Sequence, residues 1–371
     1  MRGRVAVSVG AGRPMEIRVY DVRPPKPGEI LVRLTTASVC GSDLHIWRGE
    51  IPGLTGQPGV PGHEMTGVVE MLGEGRSHDT LGRPLAPGDR VAFPYFQPCG
   101  ECWACLTGTT GCPNRYRARK ALTVEDDPHF LGAYGDYYYL LPGQWIYTVP
   151  AGLPDALVAP VNCALSQVIY GLNRIGVWLG DTVVIQGAGG LGLYATAIAR
   201  DMGAGTIVVV DGVPSRLELA RRFGADETIN VREVPAAQDR VELVRGWSGG
   251  VGADVCVEVA GVPSVVQEGL ELLRVGGRYL MMGNIVAGAA TQIIPHDMIR
   301  APKTVLGVLS YDRWVIPRAL AWLNRRQSVY PFDALSATSF PLEQIEQAFQ
   351  AAEWAVGSGD VARAMISLQH P

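Results

Sequence analysis

The stretch TVVIQGAGGLGLYATAIA, residues 182–199, decides the fold of the second half of this 371-residue chain. It carries no charged side chain, and its length approaches that of a membrane-spanning helix. Four glycines interrupt its middle, however, and glycine at this density is unfavourable inside a helix. We therefore predict a strand, a tight turn and then a helix.

Three of these glycines have the spacing G-x-G-x-x-G, which is typical of a dinucleotide site when it joins a strand to a helix. Gly187 permits the tight turn, Gly189 lets the backbone approach a pyrophosphate, and Gly192 lets strand and helix pack closely. The helix N-terminus then faces the phosphates, beside Gly190 and Leu191. The alternative is a glycine-rich turn that binds nothing.

An acidic residue follows at the distance that such a site requires. Asp211 ends the next strand-like run, GTIVVVD, about twenty residues further on. A carboxylate there holds the hydroxyls of the adenosine ribose and repels a 2′-phosphate, so NAD is favoured over NADP. Arg216 complicates this preference, because it could bind the ribose, assist a 2′-phosphate or lie on a helix surface.

The rest of the chain predicts two kinds of domain. Residues from about 164 to 309 alternate between strand and helix patterns, which predicts an α/β domain with a doubly wound parallel sheet of the Rossmann type. Residues 1 to about 160 are rich in Pro and Gly, with short β-type runs such as EILVRLTTASV, which predicts a mostly β domain. From residue 310, two helical runs precede a final strand, ARAMISL.

Length and charge exclude several classes of function. A chain of 371 residues fits two domains, and its net charge of −4 is mild. It contains no Lys/Arg block, so we expect no nucleic-acid partner. The N-terminus has too short an apolar run for a signal peptide, so we expect a cytoplasmic protein that does not bind membranes.

Four of the seven cysteines lie in one loop, PCGECWACLTGTTGCPN, residues 98–114. Cysteines of cytoplasmic proteins stay reduced, so this cluster favours a metal over disulfides. The spacing C-x2-C-x2-C-x6-C predicts a structural zinc site without an open position. An iron–sulfur cluster is a rival because Pro113 follows the last cysteine, but the final spacing is too long for that pattern. Free or redox-active thiols are the third alternative. The four residues are Cys99, Cys102, Cys105 and Cys112.

The other three cysteines have separate contexts. Cys256 lies in an apolar strand pattern and is expected in the core. Cys40 follows a β run, His63 precedes Glu64 in PGHEMTG, and Cys163 lies in APVNCALSQV. Two thiolates and one imidazole form a catalytic zinc site of the Cys2His type if they converge. Spacing alone favours buried cysteines and a hydrogen-bonded histidine instead.

A resemblance decides between these interpretations. The motifs CGSDLH, GHE, the four-cysteine loop, APVNCA and GAGGLG occur in the order found in the zinc-dependent medium-chain dehydrogenases/reductases, the alcohol dehydrogenase superfamily. The resemblance covers nearly the whole chain. It implies a GroES-like catalytic zinc domain over residues 1–163, a structural-zinc lobe at about 95–115, a dinucleotide-binding domain over 164–309, and a return to the first domain over 310–371.

The resemblance also implies roles for individual residues. Cys40, His63 and Cys163 would bind the catalytic zinc, and the four-cysteine loop a second, structural zinc. Glu64 would transiently replace zinc-bound water, and Asp43 would orient the zinc-binding histidine. The other implied roles are a proton relay through Ser42 and His45 and a pyrophosphate contact by Arg363.

Two departures from the family pattern stand out. The last spacing in the cysteine loop is one residue shorter than the commonest one, a difference that a zinc site can tolerate. Gly41 stands where several animal alcohol dehydrogenases have a phosphate-binding Arg. Binding of the cofactor would then depend more on the glycine turn, Asp211 and Arg363.

The implied activity is hydride transfer between an alcohol and NAD, with the aldehyde or ketone as the product, by a homodimer or homotetramer. In the family, the positions that correspond to Tyr95, Phe130 and Leu131 line the substrate pocket. Trp47, which closely follows the CGSDLH motif, is a further candidate. These four apolar or aromatic side chains favour an apolar, medium-sized or aromatic alcohol. A polyol is the rival, because Gly41 is common in that branch. A noncatalytic zinc- and cofactor-binding relative is the alternative from another class. The YYY run at 137–139 is expected to be a strand with one face in the core.

Overall fold

The computed structural model describes residues 1–51, 58–108, 111–116, 122–336, 338–353 and 363–368. Positions 109 and 110 of the predicted zinc lobe lie outside the described residues. The chain forms two compact units. Unit 1 comprises Met1–Ser166 and Ser310–Pro371, and unit 2 comprises Gln167–Leu309.

The regular elements are numbered in chain order within the described ranges. The strands are β1 (Arg2–Val7), β2 (Glu16–Asp21), β3 (Ile30–Ser38), β4 (Glu64–Leu72), β5 (Arg90–Ala92), β6 (Tyr137–Leu140), β7 (Tyr147–Thr148), β8 (Thr182–Gln186), β9 (Thr206–Asp211), β10 (Glu227–Asn230), β11 (Ala253–Glu258), β12 (Leu273–Met281), β13 (Thr304–Gly307), β14 (Thr338–Pro341) and β15 (Ala364–Ser367). The helices are α1 (Gly41–Trp47), α2 (Trp103–Leu106), α3 (Asp155–Val158), α4 (Ala164–Ile175), α5 (Gly190–Met202), α6 (Pro214–Arg222), α7 (Ala237–Trp247), α8 (Val265–Leu272), α9 (Pro295–Arg300), α10 (Val315–Arg326) and α11 (Ile345–Ala352). Short 3-10 helices cover Ala159–Asn162, Phe332–Leu335 and Leu342–Gln344.

Unit 2 contains the predicted parallel sheet. Its six strands have the order β10-β9-β8-β11-β12-β13, and all neighbouring pairs are parallel. This is the 3-2-1-4-5-6 order of the Rossmann fold. The strand β8 is buried along its whole length, because a central strand of such a sheet is covered on both faces. The prediction of strand, turn and helix over 182–199 is therefore confirmed.

Unit 1 contains a mixed seven-stranded sheet in the order β14-β15-β3-β4-β5-β7, with β6 also paired to β3. The antiparallel register of β3 and β4 sets Ser38 opposite Glu64. The strand β15 pairs with the same end of β3, with Met365 opposite Ser38. The mostly β character predicted for this part of the chain is confirmed.

The strand β6 differs from its prediction. The sequence predicts one core face, but Tyr137, Tyr138 and Tyr139 are all buried. Tyr138 belongs to the main core of unit 1, and the other two rings pack on a second core that includes Val5 and Phe130. Three tyrosines in a row are therefore covered on both faces of the strand.

Among the described residues, no single helix has the length and apolar character needed to cross a membrane. One pair of helical segments, Asp155–Asn162 and Ala164–Ile175, meets those criteria jointly with a bend of 53°.

Candidate active site

The pairing of β3 with β4 brings two predicted metal ligands together. Cys40 follows the end of β3, and His63 immediately precedes β4. Because Ser38 and Glu64 are register partners, the residues just beyond these strand ends emerge side by side. Two ligands that are 23 positions apart (40 to 63) are thus neighbours in space.

The third predicted ligand comes from a segment a hundred residues further along. Cys163 follows the 3-10 helix Ala159–Asn162, which packs against β3 and β4. Its Sγ lies 3.2 Å from Nε2 of His63. The structure therefore brings together the three side chains that spacing alone did not connect.

The donor atoms of Cys40, His63 and Cys163 suit a zinc ion. They lie within 4.8 Å of one another, and both cysteines are buried. With Zn–S near 2.3 Å and Zn–N near 2.0–2.1 Å, tetrahedral geometry requires S···N separations of about 3.6 Å. A hydrogen bond from Cys163 lowers the pKa of the Cys40 thiol, while the same hydrogen bond and burial raise the pKa of Cys163. Three ligands leave a fourth position open, as in catalytic zinc sites.

One buried carboxylate organises two of these ligands. Asp43, which is 1% exposed, lies in the first turn of α1. Its Oδ1 lies 3.0 Å from Nδ1 of His63, and its Oδ2 accepts a 3.0 Å hydrogen bond from the backbone N–H of Cys40. Burial opposes a charge on His63, but Asp43 and Cys40 together raise its pKa. The contact with His63 is the one that the resemblance implied for Asp43.

Arg363 immediately precedes β15 in unit 1. Its guanidinium is buried in unit 1, where Nη1 contacts the carboxylate of Glu64 and lies 3.0 Å from Oγ of Ser38. Glu64 is fully buried, and burial raises its pKa to about 7 although Arg363 opposes that rise. The structure therefore shows an ion pair between Arg363 and Glu64 inside unit 1, and the pyrophosphate contact implied for Arg363 stays a prediction.

The two residues of the predicted relay lie on α1. Ser42 Oγ is 3.3 Å from Nε2 of His63, one of the predicted metal ligands. His45 is buried, and its Nδ1 lies 2.5 Å from Oε2 of Glu50. Arg48 also contacts this carboxylate, at 3.3 Å. His45 therefore has a carboxylate partner that the sequence did not suggest.

The predicted substrate pocket is only partly supported by the structure. The ring centroid of Tyr95 lies 4.6 Å from that of His63, so Tyr95 borders one of the predicted metal ligands. Trp47 packs against Phe349 and the main core of unit 1. Phe130 is fully buried in the second core, against which Leu131 also packs.

The structure therefore gives Phe130 a packing role, whereas Leu131 is only partly buried and its place in the pocket stays a prediction. The cause is a backbone hydrogen bond from Tyr139 to the carbonyl of Phe130, which turns this segment towards β6. Two further aromatic rings lie beside Tyr95 instead. The ring centroids of Tyr95 and Phe96 are 5.3 Å apart, and those of Phe96 and Tyr311 are 5.1 Å apart. The sequence contained no signal for Tyr311, which comes from the returning segment of unit 1.

The four-cysteine loop has the geometry of a tetrahedral thiolate site. Its Sγ atoms are separated by 3.5–4.0 Å in the four pairs that form contacts. A tetrahedron with Zn–S bonds of 2.3 Å has edges of about 3.8 Å. The N–H of Glu101 and the side chain of Asn114 lower the pKa of Cys99 to about 6, and burial raises that of Cys105 to about 12. The shorter final spacing thus remains compatible with one ion.

In unit 2 the glycine turn has the backbone that its sequence requires. Gly187 has φ of +107°, a region that other residues rarely adopt. A Cβ on Gly192 would lie 1.8 Å from the carbonyl oxygen of Gly187, so only glycine fits there. A Cβ on Gly189, at the N-cap of α5, would meet no atom within 4 Å, which leaves room for a ligand. Gly190 and Leu191 are the first residues of that helix.

Asp211 lies at the carboxyl end of β9, beside this turn. Its Oδ2 accepts a 2.7 Å hydrogen bond from the N–H of Ala188, and its Oδ1 accepts one of 2.9 Å from Val213. Arg216 lies in the first turn of α6, which follows directly. The carboxylate is thus fixed at the edge of the sheet where dinucleotides bind in such folds.

The sequence also missed a carboxylate at this edge. Glu258, the last residue of β11, is fully buried. Its oxygens accept hydrogen bonds from the N–H groups of Gly261 at 2.7 Å, Gly283 at 3.1 Å and Asn284 at 3.2 Å. It thereby fixes two loops that follow neighbouring strands. The run ADVCVEVAG gives no sign of this, because a single acid in an apolar strand is not a motif.

Comparison with known proteins identifies the family. Residues 26–151 match the model for the alcohol dehydrogenase GroES-like domain, and residues 190–325 match the model for the zinc-binding dehydrogenase domain. The chain is 33% identical over 350 residues to 5-exo-hydroxycamphor dehydrogenase of Pseudomonas putida, and the match covers 94% of both chains. The protein therefore belongs to the zinc-dependent alcohol dehydrogenase family of medium-chain dehydrogenases/reductases, and it is an oxidoreductase of that family.

Solved structures agree with this assignment. An alcohol dehydrogenase from Thermotoga maritima superimposes with a TM-score of 0.89 at 27% identity, with 99% of each chain covered. Benzyl alcohol dehydrogenase from Acinetobacter calcoaceticus superimposes with a TM-score of 0.84 at 26% identity, with 100% of each chain covered.

Proposed function

We propose that the protein oxidises an apolar alcohol with NAD at a zinc site formed by Cys40, His63 and Cys163, and that the four-cysteine loop holds a second, structural zinc. The observation that carries the proposal is that the three donor atoms converge around one position. Asp43 is hydrogen-bonded to the ring of one of these residues, His63, and to the backbone N–H of another, Cys40. A set of ligands with an open fourth position is the arrangement that catalytic zinc requires.

Bound zinc would supply a Lewis acid that makes an alcohol hydroxyl easier to deprotonate, and NAD would accept the hydride. The residues of this chain handle the proton. Ser42 Oγ lies 3.3 Å from Nε2 of His63 and would accept the proton of the alcohol while giving up its own. His45, paired with Glu50, would receive the relayed proton and pass it to solvent. The predicted link between Ser42 and His45 is a ribose hydroxyl of the bound cofactor. Each turnover thus releases one hydride to NAD and one proton to water.

Two features support an apolar alcohol as the substrate. Tyr95 presents an aromatic ring next to His63, and Phe96 and Tyr311 continue this aromatic cluster. The names of two similar proteins, a hydroxycamphor and a benzyl alcohol dehydrogenase, refer to alcohols built on a carbon ring. NAD is preferred over NADP in this proposal, because Asp211 places a negative charge where a 2′-phosphate would lie.

The test combines metal content with alcohol-dependent formation of NADH, using aromatic, secondary, aliphatic and polyol substrates. We expect two zinc ions per chain and the highest kcat/KM with an apolar alcohol. His63→Ala and Cys163→Ala should each lose one zinc and all turnover while still binding NAD. Cys256→Ala is the matched control: this cysteine is buried in the core of unit 2, as its sequence predicted, and should leave both ions in place.

Three results would contradict the proposal. Turnover by His63→Ala would remove that residue from the site. A higher kcat/KM with a polyol than with an apolar alcohol would show that the proposed substrate class is wrong. Full zinc occupancy without NADH formation from any alcohol would identify a noncatalytic relative.

A further inference from the structure

A buried tyrosine contacts the carboxylate that joins two of the predicted metal ligands. The hydroxyl of Tyr134 donates a 2.7 Å hydrogen bond to Oδ2 of Asp43. The same hydroxyl lies 3.4 Å from the carbonyl of Ser38, a much weaker contact. Both Tyr134 and Asp43 are at most 1% exposed, so water does not compete for this bond.

We infer that Tyr134 is a positioning residue for the catalytic metal: its hydroxyl fixes the Asp43 carboxylate, which in turn holds the His63 ring and the Cys40 backbone in the geometry that binds the ion. This inference rests on the proposed function, because it assumes that Cys40, His63 and Cys163 bind zinc.

The hydrogen bonds of Asp43 are divided between its two oxygens. Oδ1 faces His63, whereas Oδ2 accepts from both Tyr134 and the N–H of Cys40. Bonds to an ionised carboxylate are about twice as strong as bonds between neutral groups, and they are directional. Loss of the Tyr134 bond leaves Oδ2 with the Cys40 donor only, so the carboxylate can rotate and the His63 ring is less tightly held.

The tyrosine ring is itself held rigidly. A Cβ on Gly62 would lie 2.7 Å from Cε2 of Tyr134, so the ring packs directly on the backbone before His63. On another side the ring meets Phe349 edge-to-face at 5.6 Å. The backbone carbonyl of Tyr134 accepts a 2.8 Å bond from the N–H of Ala6. The hydroxyl therefore has little freedom to leave Asp43.

The tyrosine also remains a donor at all ordinary pH values. Burial and the neighbouring Asp43 carboxylate both raise the pKa of Tyr134 well above its usual value. Phenylalanine fills the same space without the hydroxyl, so Tyr134→Phe removes one hydrogen bond and leaves the core packed.

The matched control is Tyr138→Phe. Tyr138 is also fully buried and belongs to the same core, and its hydroxyl accepts a 3.4 Å bond from Gln144. Loss of this hydroxyl should change stability in a similar way without affecting the metal ligands. A comparison of the two variants therefore separates a positioning role from an effect on packing alone.

The experiment measures the release of zinc to a chromogenic chelator over time, in which each zinc site gives its own kinetic phase. Cys163→Ala protein, which should hold zinc only in the four-cysteine loop, identifies the phase that belongs to that loop. We expect Tyr134→Phe to release the catalytic zinc about tenfold faster than the natural protein, within the ~10–100-fold range known for outer-shell partners of metal ligands. Tyr138→Phe should stay within about twofold. Cobalt-substituted protein should show shifted d–d absorption bands for Tyr134→Phe only.

A double variant tests whether Tyr134 acts through the carboxylate. On an Asp43→Asn background, Tyr134→Phe should accelerate zinc release no further. Equal release rates for the Tyr134 and Tyr138 variants, or an undiminished effect on the Asp43→Asn background, would overturn this inference while leaving the proposed function intact. Absence of zinc from this site in the natural protein would overturn both.

Discussion

The preference for NAD can be tested by a change at Asp211 that preserves the shape of the side chain. Asp211→Asn removes the negative charge but keeps one oxygen that can accept a hydrogen bond. In the structure both carboxylate oxygens accept backbone N–H groups, from Ala188 in the glycine turn and from Val213 before α6. The substitution therefore changes the charge at the ribose position and weakens one of these two bonds.

The expected change in the preference for NAD over NADP can be estimated from the charge of the Asp211 carboxylate. At an effective dielectric constant of about 20, unit charges ~4 Å apart interact by roughly 4 kcal/mol. The N–H groups of Ala188 and Val213 offset part of the charge on Asp211, and Arg216 adds a positive charge to the first turn of the helix α6 that follows. Even a third of the full interaction, about 1.4 kcal/mol, is tenfold in affinity. We therefore expect Asp211→Asn to lower the ratio of kcat/KM for NAD to that for NADP about tenfold.

The assay is steady-state oxidation of one alcohol with each cofactor, and Asp226→Asn is the control. Asp226 also accepts a backbone N–H, from Ile207 at 2.7 Å, but it immediately precedes β10 and so lies at the amino edge of the same sheet. The control should lose the same charge without a change in the cofactor ratio. A ratio that stays within twofold in Asp211→Asn, or a natural protein that already prefers NADP, would refute the electrostatic explanation.

Three further outcomes are expected. Cys105→Ser should remove one zinc and lower the unfolding temperature, yet leave the catalytic zinc in place by metal analysis; loss of both ions would show that the sites are not independent. Phe130→Leu should lower the free energy of unfolding by about 1–2 kcal/mol, as do other volume reductions in a core, and should leave KM unchanged. Tyr95→Leu should mainly raise KM for aromatic alcohols. A raised KM in Phe130→Leu with an unchanged KM in Tyr95→Leu would show that Phe130 lines the pocket. The hydrogen bond with His45 lowers the pKa of Glu50, so the contribution of the Glu50 carboxylate to stability is complete above pH ~4.5 and is lost as the pH falls through the lowered pKa. Glu50→Gln should therefore be less stable than the natural protein near pH 6 and equally stable in strong acid. A stability difference that persists in strong acid, measured by denaturant titration, would contradict this role of Glu50.

The sequence predicted what depends on local pattern. Residues 182–199 combine an apolar strand, a glycine turn and a helix, and each of these has a local signature. The cysteine loop is also local, because its four thiols lie within fourteen positions (99 to 112). The backbone at Gly187 and Gly192 could likewise be anticipated, since glycine there follows from steric limits that the motif itself implies.

Contacts between distant segments were not predictable in this way. His63 and Cys163 are 100 positions apart, and only the resemblance suggested that they meet. Phe130 lies in an aromatic run that suits a core as well as a pocket, so hydrophobicity could not distinguish them. The contact between Arg363 and Glu64 depends on the pairing of β15 with β3, which no periodicity in either segment specifies.

That strand pairing also sets an order of events during synthesis. The outer edge of β3 is paired with β6 near Ile30 but with β15 near Ser38. Arg363 follows Ser38 by 325 positions, so the end of β3 beside Cys40 remains an open edge while the ribosome makes all of unit 2. Unpaired edges invite association with other chains. Until residues 364–367 are made, the nascent chain therefore has an unpaired strand edge next to Cys40, even when unit 2 is complete.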